Sequence, residues 1–195
     1  MKVIRFLAQD GLKDFLLALQ SQGQRVLVPM EKAATKRTIV FGEFSEALPM
    51  TLDKATVPAK AAVLPECECL FTYTKKKDAG DLGKTHLELQ EENHAVRTVV
   101  FGARPCDARG YAVLDRPYLE GPFVDPYYKA RRDNLLVCTI SCNSGCSTCF
   151  CHWTGGGPSS PEGSDVLMTE LCDGYVLQAV TEKGKALLDS SSPPD

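Results

Sequence analysis

The 195-residue sequence has no long apolar run, no excess of positive charge and no glycine-rich nucleotide-binding motif. Its longest apolar stretch, residues 135–140, is far too short to cross a membrane as a helix. The net charge is −3, and the one basic run, residues 75–77, is followed by Asp78 and Asp81. The chain therefore has no basic field with which to bind nucleic acid or anionic lipid. G-x-G-x-x-G and Walker A patterns are also absent.

The N-terminal segment MKVIRFLAQD has no apolar core of a secretory signal, because Arg5 interrupts it. We therefore expect a cytoplasmic protein, in which thiols stay reduced. The sequence contains nine cysteines, an odd number that argues against a framework made only of disulfides. In such a compartment, clustered cysteines more often serve metal or redox chemistry.

Hydrophobic periodicity predicts an α/β (α+β) fold with mixed sheets, short flanking helices and a cysteine-rich cluster-binding loop. Predicted helices cover 11–22, a segment after Pro105, 125–134 and 182–190; predicted strands cover 25–29, 37–44, 69–74, 96–101, 135–140, 165–171 and 175–181. The polar run 75–93 is predicted to form loops. We divide the chain into an N-terminal α+β portion (1–95), a cluster-binding α/β portion (96–189) and a disordered tail (190–195), with the two portions forming one compact unit.

Cys106 and Asp107 lie where a predicted strand passes into a helix. Gly102 is expected to break the strand, and Pro105 suits the first turn of a helix. The positive end of the helix dipole favours a thiolate, and such a junction is a usual place for ligands. The alternative, a small buried cysteine with Asp107 as a helix cap, is equally compatible with this position.

The segment TISCNSGCSTCFCHW (139–153) places four cysteines within ten positions. Cys149 and Cys151 cannot easily bridge each other, because alternate residues of an extended chain point apart. A zinc site would use Cys146, Cys149 and His152, but a second C-x-x-C knuckle is missing. A thioredoxin-type pair, Cys146 and Cys149, fits poorly with two further cysteines. A [4Fe–4S] cluster fits best, with Cys106 as a distant ligand and glycines 155–157 allowing close backbone approach.

The remaining cysteines, the histidines and the tryptophan have simpler interpretations. Cys67 and Cys69 form only a C-x-C pair, which is weak support for a metal site, and Cys138 and Cys172 are interpreted as small hydrophobic residues. His86 and His94 are expected at the surface. Trp153 could shield a cluster from water, but core packing is its commoner use.

An ordered series of motifs resembles the iron–sulfur β-subunit family of cytoplasmic sulfhydrogenases and anaerobic sulfite reductases. Related chains occur with heterodisulfide reductase-like electron-transfer complexes. The resemblance is densest over residues 96–188, and its motifs are FGARPCDARG, LDRPYLEG, DPYYKARRDN, LLVCTISC, CFCHWTGGGP, GSDVLMTEL and TEKGKALL. In the N-terminal half, VLPECECLFTY corresponds to a further family segment.

The resemblance implies that Cys106, Cys142, Cys149 and Cys151 bind one [4Fe–4S] cluster. Asp107 and Cys146 are two further candidates for coordination. No residue is implied as a catalytic acid, base or nucleophile.

The resemblance also implies an electron-relay subunit of a multisubunit oxidoreductase complex in anaerobic metabolism, with iron–sulfur or flavin subunits as partners. Related chains usually continue into a ferredoxin-like domain, and no C-x-x-C-x-x-C-x-x-x-C segment follows here. A zinc-stabilised interaction module without redox activity is the alternative interpretation.

Overall fold

The computed structural model describes residues 3–32, 38–78, 80, 83–93 and 95–190. The described residues form nine strands: β1 (Ile4–Ala8), β2 (Arg25–Lys32), β3 (Thr38–Glu43), β4 (Phe71–Lys77), β5 (Thr85–Glu91), β6 (Thr98–Ala103), β7 (Leu135–Ile140), β8 (Val166–Glu170) and β9 (Gly174–Ala179). The α-helices are α1 (Leu12–Ser21), α2 (Pro105–Leu119), α3 (Pro126–Asp133) and α4 (Glu182–Ser190). The predictions for Asp81, His94 and the tail after Ser190 lie outside these residues.

Seven strands form one mixed sheet in the order β1-β9-β8-β7-β6-β2-β3. The central strands β2, β6, β7 and β8 are parallel to one another, whereas β9 and β3 join the sheet antiparallel to their neighbours. Because β2 pairs with β6, strands from before and after residue 95 share the sheet. The predicted α/β fold with mixed sheets and flanking helices is confirmed. No helix among the described residues is long and apolar enough to span a membrane.

A hydrophobic core lies on each face of the sheet. Leu16 and Leu19 of α1 pack in one core with Phe101, and Tyr111 of α2 packs in the other with Val100. Successive residues of β6 therefore face opposite cores, as the alternation of side chains along a strand requires. Helices cover both faces of the sheet and leave the carboxyl ends of the parallel strands open. These strand ends are called the carboxyl edge of the sheet below.

The structure corrects one prediction at the end of β6. Gly102 was expected to break the strand, but β6 continues to Ala103. Gly102 has a φ of +82°, and the pairing with β7 shifts register between Phe101 and Ala103. A Cβ at Gly102 would lie 3.0 Å from Cδ2 of Leu52. Glycine is required here because it forms a β-bulge and admits the Leu52 side chain.

A second, two-stranded sheet consists of β4 and β5, paired antiparallel from Phe71–Glu91 to Lys77–Thr85. The prediction of loops is wrong for residues 75–77 and 85–91. Every residue of both strands is exposed. A hairpin without a core carries only a weak hydrophobic signal, so its polar residues resemble a loop in sequence.

Candidate metal centre at the carboxyl edge of the sheet

The sheet topology brings two of the predicted cysteine positions to the same edge. β6 and β7 are parallel neighbours, and they end at Ala103 and Ile140. Cys106 follows β6 in the first turn of α2, and Cys142 follows β7 after Ser141. Ligand sites in open α/β sheets commonly lie outside the carboxyl ends of the parallel strands.

Asp107 caps the helix at the junction, whereas Cys106 is exposed and is not the small buried cysteine of the alternative interpretation. The backbone N–H of Arg104, the N-cap residue of α2, donates to Oδ2 of Asp107 at 3.1 Å. Asp107 is therefore a helix cap, as one of the two interpretations predicted. Cys106 is exposed, yet its pKa is raised, first by desolvation and then by the charges of Asp107 and Cys142. In the metal-free chain these effects outweigh the contribution of the helix N-terminus, and the assignment of Cys106 as a ligand stays a prediction.

The loop after β7 is held by its own backbone hydrogen bonds. The N–H of Cys142 donates to the carbonyl of Pro158 at 2.9 Å, which closes the loop at its base. Nearer the tip, the N–H of Gly156 donates to the carbonyl of Cys151, also at 2.9 Å. Residues 151–154 form a short 3-10 helix that ends at Gly155, whose φ is +77°. The glycines thus turn the chain back towards its starting point.

Electrostatic coupling shows which thiols lie near one another. The pKa of Cys142 is raised by burial, lowered by the charge of Arg104, and raised further by the thiolates of Cys149 and Cys151. The pKa of Cys106 in turn responds to the charge of Cys142. Thiols from both strand ends therefore share one electrostatic environment.

Cys146 and Cys149 form a close pair at the exposed tip of the loop. Their Sγ atoms are 3.1 Å apart, and the N–H of Cys146 donates to Sγ of Cys149 at 3.1 Å. Two thiolates bound to one tetrahedral zinc would lie about 3.8 Å apart. The arrangement is therefore that of a hydrogen-bonded thiol pair. The pKa of Cys146 is lowered to about 6, chiefly by its hydrogen bond from Lys54 and also by Thr148.

Two cationic residues of this edge, Lys54 and Arg104, contact the cysteine loop through hydrogen bonds. Lys54 Nζ is 3.0 Å from Sγ of Cys146 and 3.7 Å from Sγ of Cys149. Arg104 donates to the carbonyls of Leu52 and Ser141, at 2.7 and 3.2 Å. Sequence reasoning missed Lys54 entirely, because it lies 92 residues before Cys146 in a segment without a motif.

A cavity of about 690 Å³ opens beside these side chains. Cys142, Cys146, Cys149, Lys54 and Arg104 all contribute to its lining. Among the described residues, no three histidine, cysteine or acidic side chains stand in metal-binding geometry. The donor set nevertheless fits an iron–sulfur group chemically, because several thiols, a backbone N–H directed at sulfur and three cationic side chains face one space.

The cysteines outside this edge are separate from it. Cys138 is fully buried in β7, and burial raises the pKa of its thiol, so it is the small core residue that was predicted. Cys172 is exposed, which corrects the prediction that it is a small hydrophobic residue. Cys67 and Cys69 are exposed as well.

The aromatic and histidine residues near these segments lie at the surface. Trp153 is 84% exposed, so the core-packing interpretation is wrong. His152 is exposed, and its ring centroid is 5.5 Å from that of Trp153. His86 is exposed as predicted and hydrogen bonds to Asp78 at 2.7 Å.

The fold and the site define an α/β domain with a cysteine-rich edge. The chain is 30% identical over 180 residues to the sulfhydrogenase 2 subunit beta of Pyrococcus furiosus, a match that covers 91% of this chain and 48% of that protein. This similarity confirms the resemblance to the sulfhydrogenase β-subunit family that the motifs carry. It spans about half the length of that relative. No family model matches the chain, and no solved structure matches it significantly.

Proposed function

We propose that this chain is an electron-transfer subunit that binds one [4Fe–4S] cluster through Cys106, Cys142, Cys149 and Cys151. The observation that supports the proposal most is the sheet topology, in which Cys106 and Cys142 follow neighbouring parallel strands and their thiols interact electrostatically. The similarity to a sulfhydrogenase subunit supports a place in a multisubunit oxidoreductase. Many free thiols are also typical of a reducing, cytoplasmic location, which we include in the proposal.

When bound, the cluster would supply one-electron redox chemistry. The contribution of the chain is charge and hydrogen bonding. Arg104 fixes the base of the cysteine loop through the carbonyl of Ser141, and its guanidinium opposes the rise in the pKa of Cys142 that burial causes. Cations and N–H donors around a cluster favour its more negative, reduced state.

We further propose that iron–sulfur or flavin subunits dock on the cysteine loop. Phe150 is 62% exposed and Trp153 is 84% exposed, and they flank Cys151. Exposed aromatic residues beside a redox site are typical of a docking surface, where a second carrier approaches closely enough for electron transfer.

Anaerobic purification tests the cluster directly. We expect a brown protein whose absorbance bleaches with dithionite, with four iron and four sulfide per chain as the stoichiometry of such a cluster. Cys106→Ala should lose most of the iron, because a three-thiolate site lacks both geometry and charge compensation. Cys172→Ala is the matched control, since that thiol is exposed elsewhere. A colourless protein with one zinc per chain would establish the zinc-module alternative instead.

A second candidate function, thiol–disulfide exchange, is favoured by the 3.1 Å separation of the Cys146 and Cys149 sulfurs. In this case the two thiols would reduce a partner disulfide to two thiols and become a disulfide themselves. Anaerobic mass spectrometry after treatment with a disulfide substrate distinguishes the two functions. Exchange requires the metal-free chain to lose two hydrogen atoms (two protons and two electrons, which pass to the partner disulfide) at these two cysteines, whereas the cluster proposal requires retained iron.

A further inference from the structure

Lys54 reaches the cysteine pair from a connecting segment that is remote in sequence. Its ammonium donates to Cys146 and lies within 3.7 Å of Cys149, residues that follow it by 92 and 95 positions. A cation is thus placed against both sulfurs.

The backbone on either side of this contact is fixed. The N–H of Thr51 donates to the carbonyl of Pro29 in β2 at 3.0 Å, and Arg104 Nη2 donates to the carbonyl of Leu52. The other Nη of Arg104 donates to Ser141, which immediately precedes Cys142. One guanidinium therefore ties the Lys54 segment to the base of the cysteine loop. Lys54 lies two residues beyond a fixed point, so its approach to the sulfurs follows from the fold.

We propose that Lys54 is a positioning residue whose ammonium stabilises the reduced state of the cysteine site. This inference rests on the proposed function for its cluster form. Reduction adds negative charge next to Cys149, and an ammonium within hydrogen-bonding distance stabilises the reduced state more than the oxidised state. Lys54 also favours the reduced state of the metal-free pair, because reduction of a disulfide produces thiolate at the position that Lys54 faces.

The test compares Lys54→Met with Lys13→Met in the anaerobically purified chain. Both lysines line the cavity, but only Lys54 has a hydrogen bond to sulfur within the described part of the chain. We expect Lys54→Met to lower the equilibrium constant for one-electron reduction about fivefold, or ~40 mV at 59 mV per tenfold change. Lys13→Met should change it much less, and Lys54→Arg should restore most of the loss.

Several outcomes would overturn the role of Lys54. Equal shifts in Lys54→Met and Lys13→Met would mean that general charge in the cavity, not this contact, is responsible. An unchanged potential in Lys54→Met would remove the role altogether. Iron content is measured in the same samples, and we expect it to stay at the wild-type value because Lys54 is not a ligand.

A protein purified without iron would refute the cluster proposal, but the role of Lys54 could still be tested on the metal-free chain. In that case, or if Lys54→Met loses iron, glutathione titration of the metal-free chain measures the Cys146–Cys149 dithiol. We expect Lys54→Met to lower the equilibrium constant for reduction about fivefold, which is ~20 mV for two electrons. An unchanged constant would overturn the proposal independently of any cluster.

Discussion

The carboxyl edge of the main sheet and the β4–β5 hairpin both present exposed residues, but they rest on different supports. The edge stands on strands whose side chains are buried in two cores, such as Val100 and Phe101. The hairpin is attached at its base, where Arg131 pairs with Glu68 and Tyr127 Oη donates to the carbonyl of Leu70 at 2.7 Å. Beyond that base, all of its residues are exposed.

The comparison shows that exposed residues can be held firmly at one place in this molecule and weakly at another. Two-stranded hairpins are marginally stable alone, whereas a functional site needs its groups held within about half an ångström. The register of β4 and β5 places Phe71, Tyr73, Leu87 and Leu89 on one face, all of them exposed. The apolar face of the hairpin thus packs against no core. The thiols of the carboxyl edge, in contrast, follow strands that are buried between two cores.

The largest expected effect is on stability. Phe101→Ala should lower the free energy of unfolding by about 3–5 kcal/mol, because it removes a fully buried ring from the core beneath the edge. Phe71→Ala, at a residue that is 56% exposed in the hairpin, should change it by less than about 0.5 kcal/mol. Urea denaturation measures both. Similar decreases in the free energy of unfolding for the two variants would contradict the conclusion that the edge rests on a core and the hairpin does not.

Thiol reactivity sharpens the description of the edge itself. In the reduced, metal-free chain at pH 7, Cys146 should be alkylated about tenfold faster than Cys142. The pKa of Cys146 is lowered to about 6, so it is mostly thiolate, whereas burial raises the pKa of Cys142 and keeps it protonated. Lowering the pH through 6 should slow the alkylation of Cys146 as its thiolate is protonated, whereas its advantage over Cys142 should shrink only when the pH rises towards the pKa of Cys142. Site-resolved mass spectrometry after a short iodoacetamide pulse gives the two rates, and equal rates would refute the assignment.

The attachment of the hairpin can be broken locally. Arg131→Met removes the ion pair with Glu68 and a hydrogen bond to the carbonyl of Val63 at 2.8 Å. A hydrogen bond of this charged type contributes about 1.5–3 kcal/mol. Amide exchange in β4 and β5 should therefore become about tenfold faster, while exchange in β6 and β7 stays the same.

The neighbouring Lys129→Met is the control for this change. It removes only an exposed ion pair with Asp133, which contributes little. Faster exchange in the central strands of Arg131→Met would show that the hairpin and the edge are coupled.

The smallest expected effect concerns the docking surface. Gly157→Glu should slow electron transfer between this chain and its partner by a few-fold, because it places a charge on the cysteine loop. A Cβ at Gly157 meets no atom within 4 Å, whereas at Gly156 it would lie 3.3 Å from the carbonyl oxygen of Cys151. Gly157 is therefore the cleaner position. Stopped-flow transfer rates are compared with those of Tyr73→Glu on the hairpin; a larger effect there would move the docking surface away from the loop.

Much of the fold could be predicted from local patterns. Leu12, Phe15, Leu16 and Leu19 recur at helical spacing and form the buried face of α1. The run LLVCTI is β7 with the predicted bounds. These segments have strong periodicity because they pack against a core. The hairpin was mispredicted over 75–77 and 85–91 because it lacks one.

The site was only partly predictable for the same reason. Cys106, Cys142, Cys149 and Cys151 were identified from motifs, and their assignment as ligands stays a prediction. Asp107 could be recognised as a cap because its N3 position relative to Arg104 is a local relation. The exposure of Trp153 and Cys172 was missed, because a single residue type does not show whether another element covers it.

The sequence by itself determined the helices and the strands that pack against a core after residue 10, and which residue types carry soft-metal chemistry, because both depend on neighbours within a few positions. It did not reveal β1 or most of the exposed β4–β5 hairpin. Only the tertiary structure decided that Lys54, Arg104 and the cysteines meet. The pairing of β2 with β6 and of β6 with β7 brings their loops to one edge, and Arg104 then joins the segments that precede Lys54 and Cys142. Contacts over some 90 residues leave no local pattern, since they arise from strand order and not from spacing along the chain.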